Sequence, residues 1–422
     1  MAMADYRTTV RNVDVYDDRR FPAELQLATP KLDSQWAGWS CAVTGSLRLR
    51  GQGRRIESIR VCAVSTILDE IALEFSSREN RYKFGALVST FGLARHNDIF
   101  LNVLLEGGDN FTVCRIGVEC DIPPPQPSMY APILINALPR SGTTWLASIL
   151  SEHPEVVIYP KYPFEVRQSV YWMSLLRILT NPYHNPKERR EMRFLVDRTL
   201  VGGSPYYTNF LENLVPWYAT TYGAELAEFM RRMIEKFYRN IDAMYRPGTS
   251  EARYFVEKFP GRVPPLTMRW IFPAVRELYL VRNPFDVFRS IFRFNRKRGY
   301  PDFGEESLGR TEALFQHVAL ENQENLAFFE QRCLDGGGVI IKYEDLSADP
   351  HGTLSRLLES FGIDHSDVVI RSMIDGARKR QFPDHVTSDY PSAERESTLT
   401  AREEAWISKY FADFLQRFYP PK

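Results

Sequence analysis

The segment Asp121–Ser128, DIPPPQPS, limits what this chain can fold into more than any other: it puts four prolines into five residues. Each proline fixes φ and lacks an amide hydrogen, so neither a helix nor a central strand runs through it. We read 123–128 as a linker between a first domain, 1–122, and a second, 129–422. The hydrophobic period changes across it. Before it, Ser46-Leu47-Arg48-Leu49-Arg50 alternates, and Ile56–Val64, Phe84–Phe91, Asp98–Leu105 and Phe111–Val118 are short, rich in Val, Ile and Phe, and separated by Gly, Asn and Asp. That spacing predicts an antiparallel β-sandwich, with Trp36 and Trp39 filling its core. After the linker, nearly continuous apolar runs (Ala131–Leu138, Arg276–Val281, Gly338–Tyr343) are each followed by a helical pattern (Thr144–Glu152, Pro284–Lys297, Pro350–Phe361). Strands apolar on both faces, alternating with helices, predict an α/β domain: a P-loop-like parallel sheet with helices on both faces.

Composition narrows the function classes. Lys+Arg and Asp+Glu each number 53, so the chain lacks the basic excess of a protein that wraps nucleic acid. With 44% hydrophobic residues it can build a sizeable core, which excludes disorder as the main state. The cysteines are Cys41, Cys62, Cys114, Cys120 and Cys333. Their odd number and the lack of a CxxC pair speak against a disulfide scaffold or a cysteine zinc site, although four of them fall early enough for a single bridge. The polar N-terminus has no signal-peptide core, and no apolar run reaches the ~20 residues of a membrane span. The expectation is a cytoplasmic protein with no transmembrane segment and no nucleic-acid partner.

The strand Ala131–Leu138 runs into Pro139-Arg140-Ser141-Gly142-Thr143-Thr144-Trp145. A tight glycine-containing loop that opens a helix aims free amides and the positive end of the dipole at one spot, which suits an anion. Ser141, Thr143 and Thr144 add hydroxyls, and Arg140 adds a permanent forked cation. The loop is not a Walker A motif, because no lysine precedes the hydroxyl residues. The alternative is a helix whose Ser and Thr cap its own amides. A second strand end, Arg282-Asn283-Pro284, carries an arginine where open parallel sheets bind ligands, and Ser290 follows two helical turns on. Arg282 and Ser290 can clasp a second phosphate.

Together these residues resemble the sulfotransferase family over about 129–422. LPRSGTTWL (Leu138–Leu146) resembles its loop for the 5′-phosphosulfate of 3′-phosphoadenosine 5′-phosphosulfate (PAPS), which implies donor binding by Arg140, Ser141, Gly142, Thr143, Thr144 and Trp145. VRNPFDVFRSIF (Val281–Phe292) resembles its 3′-phosphate site, with Arg282 and Ser290 in the matching places. Val339–Ile363 is similar to the strand–loop–helix that follows in the family. The resemblance implies PAPS as donor, 3′-phosphoadenosine 5′-phosphate (PAP) as product, and no metal. Cytosolic small-molecule members typically have lysine in place of Arg140, a histidine base and a terminal GxxGDWKN-like motif, none of which is visible here. The chain looks nearer the tyrosylprotein, carbohydrate and bacterial branches, which generally use a glutamate base.

Sulfuryl transfer needs a base for the acceptor hydroxyl, an in-line arrangement, and cations where charge grows on the leaving oxygen. Arg140 is one such cation. Lys258, in YFVEKFP, resembles the KxP-type lysine that acts on that oxygen. For the base the expectation is Glu165, with its carboxylate desolvated against Tyr162 and Phe164; its alternative role is pairing with a cation such as Arg167. Glu257 is the second candidate base, and His153, His184 and His317 are expected to be structural or exposed. Aromatics fill 16 of the 84 residues in 162–245, a stretch expected to be helical and to build the pocket for a small-molecule or glycan acceptor as well as a core. Arg296-Lys297-Arg298 is either a further anion contact or a solvated helix end. A non-catalytic nucleotide-binding or assembly protein and a nucleotide-dependent kinase are the competing classes.

Overall fold

The computed structural model describes residues 7–17, 21–37, 40–50, 55–63, 66–71, 73–90, 93, 95–106, 109–121, 127–180, 223–248, 251–258, 267–272, 274–333, 338–380 and 399–420. These fall into two compact units, one drawn from Met1–Pro127, Tyr171–Ile234 and Val263–Pro273, the other from Ser128–Val170, Glu235–Arg262 and Ala274–Lys422.

The first unit carries ten antiparallel strands: β1 (Arg7–Val15), β2 (Ala23–Thr29), β3 (Gln35–Ala37), β4 (Ser40–Leu49), β5 (Ile56–Ala63), β6 (Thr66–Ile71), β7 (Glu74–Ser76), β8 (Arg81–Ser89), β9 (His96–Leu105) and β10 (Asn110–Cys120). They form a six-stranded sheet, β3-β1-β10-β9-β5-β6, and a four-stranded sheet, β2-β4-β8-β7. Val43 and Leu47 of one sheet and Ile59, Val61, Ile99, Leu101, Ile116 and Val118 of the other share one core. The five strands legible in the sequence are central or nearly so. Strands such as β1, with its polar RTTVRNVDV, were not legible because half-exposed strands near an edge need few apolar residues. No disulfide joins any of the five cysteines, and burial pushes the Cys41 thiol up to about 12. The side chains of Trp36 and Trp39 lie outside the described residues.

The second unit holds a five-stranded parallel sheet built from β11 (Ala131–Ala137), β12 (Val156–Val157), β13 (Tyr254–Lys258), β14 (Arg276–Val281) and β15 (Gly338–Lys342), in the order β12-β13-β11-β14-β15. Among the described residues the helices of the whole chain are α1 (Thr143–Leu150), α2 (Gln168–Thr180), α3 (Gly223–Tyr245), α4 (Thr267–Ile271), α5 (Pro284–Arg298), α6 (Glu305–Leu308), α7 (Glu312–Arg332), α8 (Tyr343–Ala348), α9 (Pro350–Phe361), α10 (Asp367–Lys379), α11 (Ala401–Tyr410) and α12 (Ala412–Phe418); α4, α2 from Tyr171 on and α3 up to Ile234 belong to the first unit, and the rest to the second. Alternation along β14 sends Leu278 and Leu280 to a core shared with α1, α9 and α10, and Tyr279 and Val281 to one shared with α7. Helices therefore cover both faces, which is why these strands read as unbroken apolar runs. Among the described residues no helix is long and apolar enough to cross a membrane.

The register fixes where chemistry can sit. Ile135 pairs with Lys258 on one side and with Leu278 on the other, and Val281 pairs with Lys342. The carboxyl ends of β11, β13, β14 and β15 thus share one edge; Lys258 is the last residue of β13, and the segments that leave the other three carry Arg140, Arg282 and Tyr343.

Candidate active site

The loop after β11 turns sharply into α1. Arg140 and Gly142 both take positive φ, at 66° and 95°, and Gly142 is the N-cap. A Cβ on Gly142 would overlap the Tyr343 ring, so glycine is required by close packing as well as by backbone conformation. The helix has no side-chain cap and no acidic residue in its first turn. Among the described residues the amides of Gly142, Thr143 and Thr144 donate to nothing. The self-capping alternative therefore fails here, and the helix end presents its free donors and positive dipole. At α5 the contrast is clear: Asn283 accepts the Phe285 amide and Pro284 occupies the first turn.

Lys258 ends β13 on the face that packs against α1. Its Nζ donates to Thr144 Oγ1 at 2.7 Å and to the Pro163 carbonyl at 2.5 Å, and lies 3.4 Å from Glu165 Oε1. The side chain is only 6% exposed. Burial pulls its pKa down to about 8, with Glu165 pulling it back up and Arg167 and Arg140 adding to the depression. Lys258 is thus not a surface lysine at a strand end. Glu165 is paired with it, not with Arg167. The expected desolvation of Glu165 is not what the fold provides: its side chain is 48% exposed, while Phe164 beside it turns into the core.

The two strand-end motifs meet. Arg140 Nε lies 3.4 Å from Ser290 Oγ, and its guanidinium sits 4.2 Å over the Phe294 ring. Arg282 Nη1 donates to the Arg140 carbonyl at 2.8 Å, and its guanidinium lies 4.3 Å over the Tyr343 ring. Its buried Nε has no acceptor among the described residues, so a charged donor there is left for an anion. Trp145 meets Tyr343 edge-on at 5.9 Å. Glu344 accepts the Asn283 amide at 3.0 Å and the Tyr419 hydroxyl at 2.8 Å, which ties the second motif to the C-terminal segment.

Glu257, the second candidate base, points to the opposite face of β13. It is fully buried and accepts the Tyr238 hydroxyl at 2.6 Å and the Ser169 amide at 3.0 and 3.1 Å. Burial raises its pKa to about 7 against these hydrogen bonds. A carboxylate sealed in this way does not reach an acceptor, which corrects the reading of Glu257 as a second candidate base. His153 is buried with Nε2 2.8 Å from the Asp364 carbonyl and Nδ1 accepting the Glu155 amide, a structural role. His317 is about half exposed beside Glu321. His184 and half of the aromatic-rich stretch 162–245 lie outside the described residues. In the basic run, Arg298 pairs with Asp302 at 2.9 Å and lies over Phe294 and Tyr300, a helix end engaged locally. Tyr343, Phe294, Tyr238 and Ser169 were missed from the sequence. Of these, only Tyr343 carried a signal, its place at the end of an apolar strand.

The family model described as "Sulfotransferase family" matches residues 132–367, more than half of the 422. A search of curated proteins gives no match. Solved structures similar to this chain include the sulfotransferase domain of the Synechococcus PCC 7002 olefin synthase, at 17% identity and a TM-score of 0.39, covering 70% of this chain and 98% of that one. Sulfotransferase STF9 from Mycobacterium avium matches at 16% identity and a TM-score of 0.38, covering 70% and 78%. A mouse sulfotransferase, SULT7A1, complexed with PAP, matches at 15% identity and a TM-score of 0.35, covering 68% and 85%.

Proposed function

The chain belongs to the sulfotransferase family, and from that premise we propose that it transfers a sulfuryl group from PAPS to a hydroxyl of a carbohydrate or glycan-like acceptor, releasing PAP. The donor supplies an activated sulfuryl group on a phosphate leaving group. Its two phosphate ends suit the two strand-end motifs: the uncapped start of α1 with Ser141, Gly142, Thr143, Thr144 and Trp145 for one, and Arg282 and Ser290 for the other. Among the described residues, free amides at Gly142–Thr144 and an Arg282 Nε without an acceptor are what make the residues fit a ligand with two anionic ends. Arg140 lies between the motifs and contributes to both binding and charge stabilisation.

As the acceptor oxygen bonds to sulfur and the bond from sulfur to the phosphate oxygen breaks, charge grows on that phosphate oxygen. Lys258, held at Thr144 in the mouth of the loop, supplies a fixed cation there. Glu165, half exposed at 3.4 Å from Lys258, takes the acceptor proton. The observation that carries this reading is the convergence of Lys258, Thr144 and Glu165 in front of a helix end with unspent donors. The aromatic excess of 162–245 is what favours a sugar-like acceptor. We also retain in this proposal a first domain of 1–122, a linker of 123–128, a catalytic domain of 129–422, and a cytoplasmic setting.

The test is transfer of labelled sulfate from PAPS to a panel of saccharides and phenols by the full chain. We expect product with saccharides, and its loss in Lys258→Ala and Glu165→Gln with PAP binding retained. Transfer that survives in both variants refutes the assignment, and transfer to phenols alone refutes the acceptor class.

A further inference from the structure

Nothing in that scheme uses Glu257, although a fully buried carboxylate directly before the proposed catalytic lysine is costly to keep. Alternation along β13 throws Lys258 to the α1 face and Glu257 to the other. Both nevertheless hold one short segment. Lys258 Nζ takes the Pro163 carbonyl at 2.5 Å, and Glu257 takes the Ser169 amide through both carboxylate oxygens at 3.0 and 3.1 Å. Glu165 lies between the two tethers, and beside it Phe164 is plugged into the core at 1% exposure. The Ser169 amide belongs to the first turn of α2, where donors have no intrahelical partner and a negative group is favoured. Glu257 is itself fixed from behind. Tyr238 donates to it at 2.6 Å and stacks on Phe255 with ring centroids 4.3 Å apart and planes 10° from parallel.

We propose that Glu257, braced by Tyr238, is a positioning residue: by anchoring Ser169 it holds the 163–169 segment so that the Glu165 carboxylate stays against Lys258. This rests on the roles given above to Glu165 and Lys258. Glu257 touches neither donor nor acceptor. It converts one strand into a clamp with a jaw on each face, and the base is carried between the jaws.

The test pairs turnover with exchange. In Glu257→Gln, and independently in Tyr238→Phe should the first variant fold poorly, we expect kcat to fall about tenfold with donor KM changed less than about threefold. Amide hydrogen exchange across 163–169 should rise at least about tenfold in Glu257→Gln while β11 stays protected. In a Glu165→Gln background, Glu257→Gln should cost less than about twofold more, because the residue acts through Glu165. An equal loss with and without Glu165 overturns the proposal, and so does unchanged exchange at 163–169. Full activity in Glu165→Gln alone is a different failure, since it removes the base assignment and leaves the exchange result to judge the tether.

Discussion

A lysine that is 6% exposed and titrates near 8 leaves a signature in the pH profile. Burial is the main cause of the shift from the ordinary 10.5, and the cost of keeping the ammonium charged is roughly 3 kcal/mol at ~1.4 kcal/mol per unit. A group of this kind is about nine-tenths protonated at pH 7 and about one-tenth at pH 9. If the cation stabilises the leaving oxygen, kcat/KM for the donor should fall roughly tenfold between those two pH values. This is the quantity to measure, because it reports the free enzyme. In the donor complex the added negative charge favours the ammonium, so the alkaline limb of kcat should lie at higher pH. Glu165 pulls the lysine pKa upward, so the residual activity of Glu165→Gln should show its limb below pH 8. Lys258→Ala should lose about 10²–10³ in kcat, as expected for one well-placed donor, and should lose the limb as well. Initial rates with labelled PAPS from pH 6 to pH 9.5 supply all of these values. A flat kcat/KM across that range, or the same limb in Lys258→Ala, refutes the reasoning.

Arg282→Ala should raise the Kd for PAP about 10–100-fold but weaken the nucleotide lacking a 3′-phosphate much less, measured by calorimetry. Equal losses would mean that Arg282 serves only to hold the Arg140 carbonyl, its partner at 2.8 Å. Gly142→Ala forces a methyl group into Tyr343 at a φ of 95° and should cost ~1–3 kcal/mol of stability together with most PAP binding. Binding within twofold of the parent would contradict the role given to that turn. Glu257 has its pKa raised from 4.5 to about 7, so the folded protein binds more protons than the unfolded chain between those values. Stability is then fullest below pH 4.5 and is lost as the pH rises through 7, by roughly 3 kcal/mol for this group. Urea unfolding at pH 5 and pH 8 should show that drop in the parent and not in Glu257→Gln; equal drops would mean that Glu257 does not titrate in this window.

The parts of this molecule that could be read from its sequence are those whose physics is local. A parallel strand covered on both faces must be apolar throughout, so Ala131–Ala137 and Arg276–Val281 announced themselves, and a tight loop that opens a helix keeps its donors within a few residues. The sandwich was half legible for the same reason: central strands need two-residue alternation, whereas β3 and β7 are three residues long and carry almost none. The directions in which side chains of different loops meet were not legible. Arg140 and Ser290 stand 150 residues apart and touch, and Arg282 turns back to the first loop's carbonyl. Glu165, expected to be desolvated, stands half in water, whereas Glu257, the second candidate base, is sealed.

The sealing of Glu257 has a simple cause. Neighbouring residues of a strand must point to opposite faces, so Glu257 and Lys258 cannot both line one pocket. Once Lys258 is assigned to the α1 side by its bond to Thr144, Glu257 must face α3, where Tyr238 and the start of α2 await a carboxylate. The parity was present in YFVEK, with Phe255 on the Glu257 side and Val256 on the Lys258 side. What the sequence lacked was the identity of the helix on each face. The pairing of Glu165 with Lys258 is therefore a property of the sheet and of the segment it grips, not of any contiguous motif. Substitutions at Tyr238 or Ser169 should consequently be felt at Glu165 even though neither touches it.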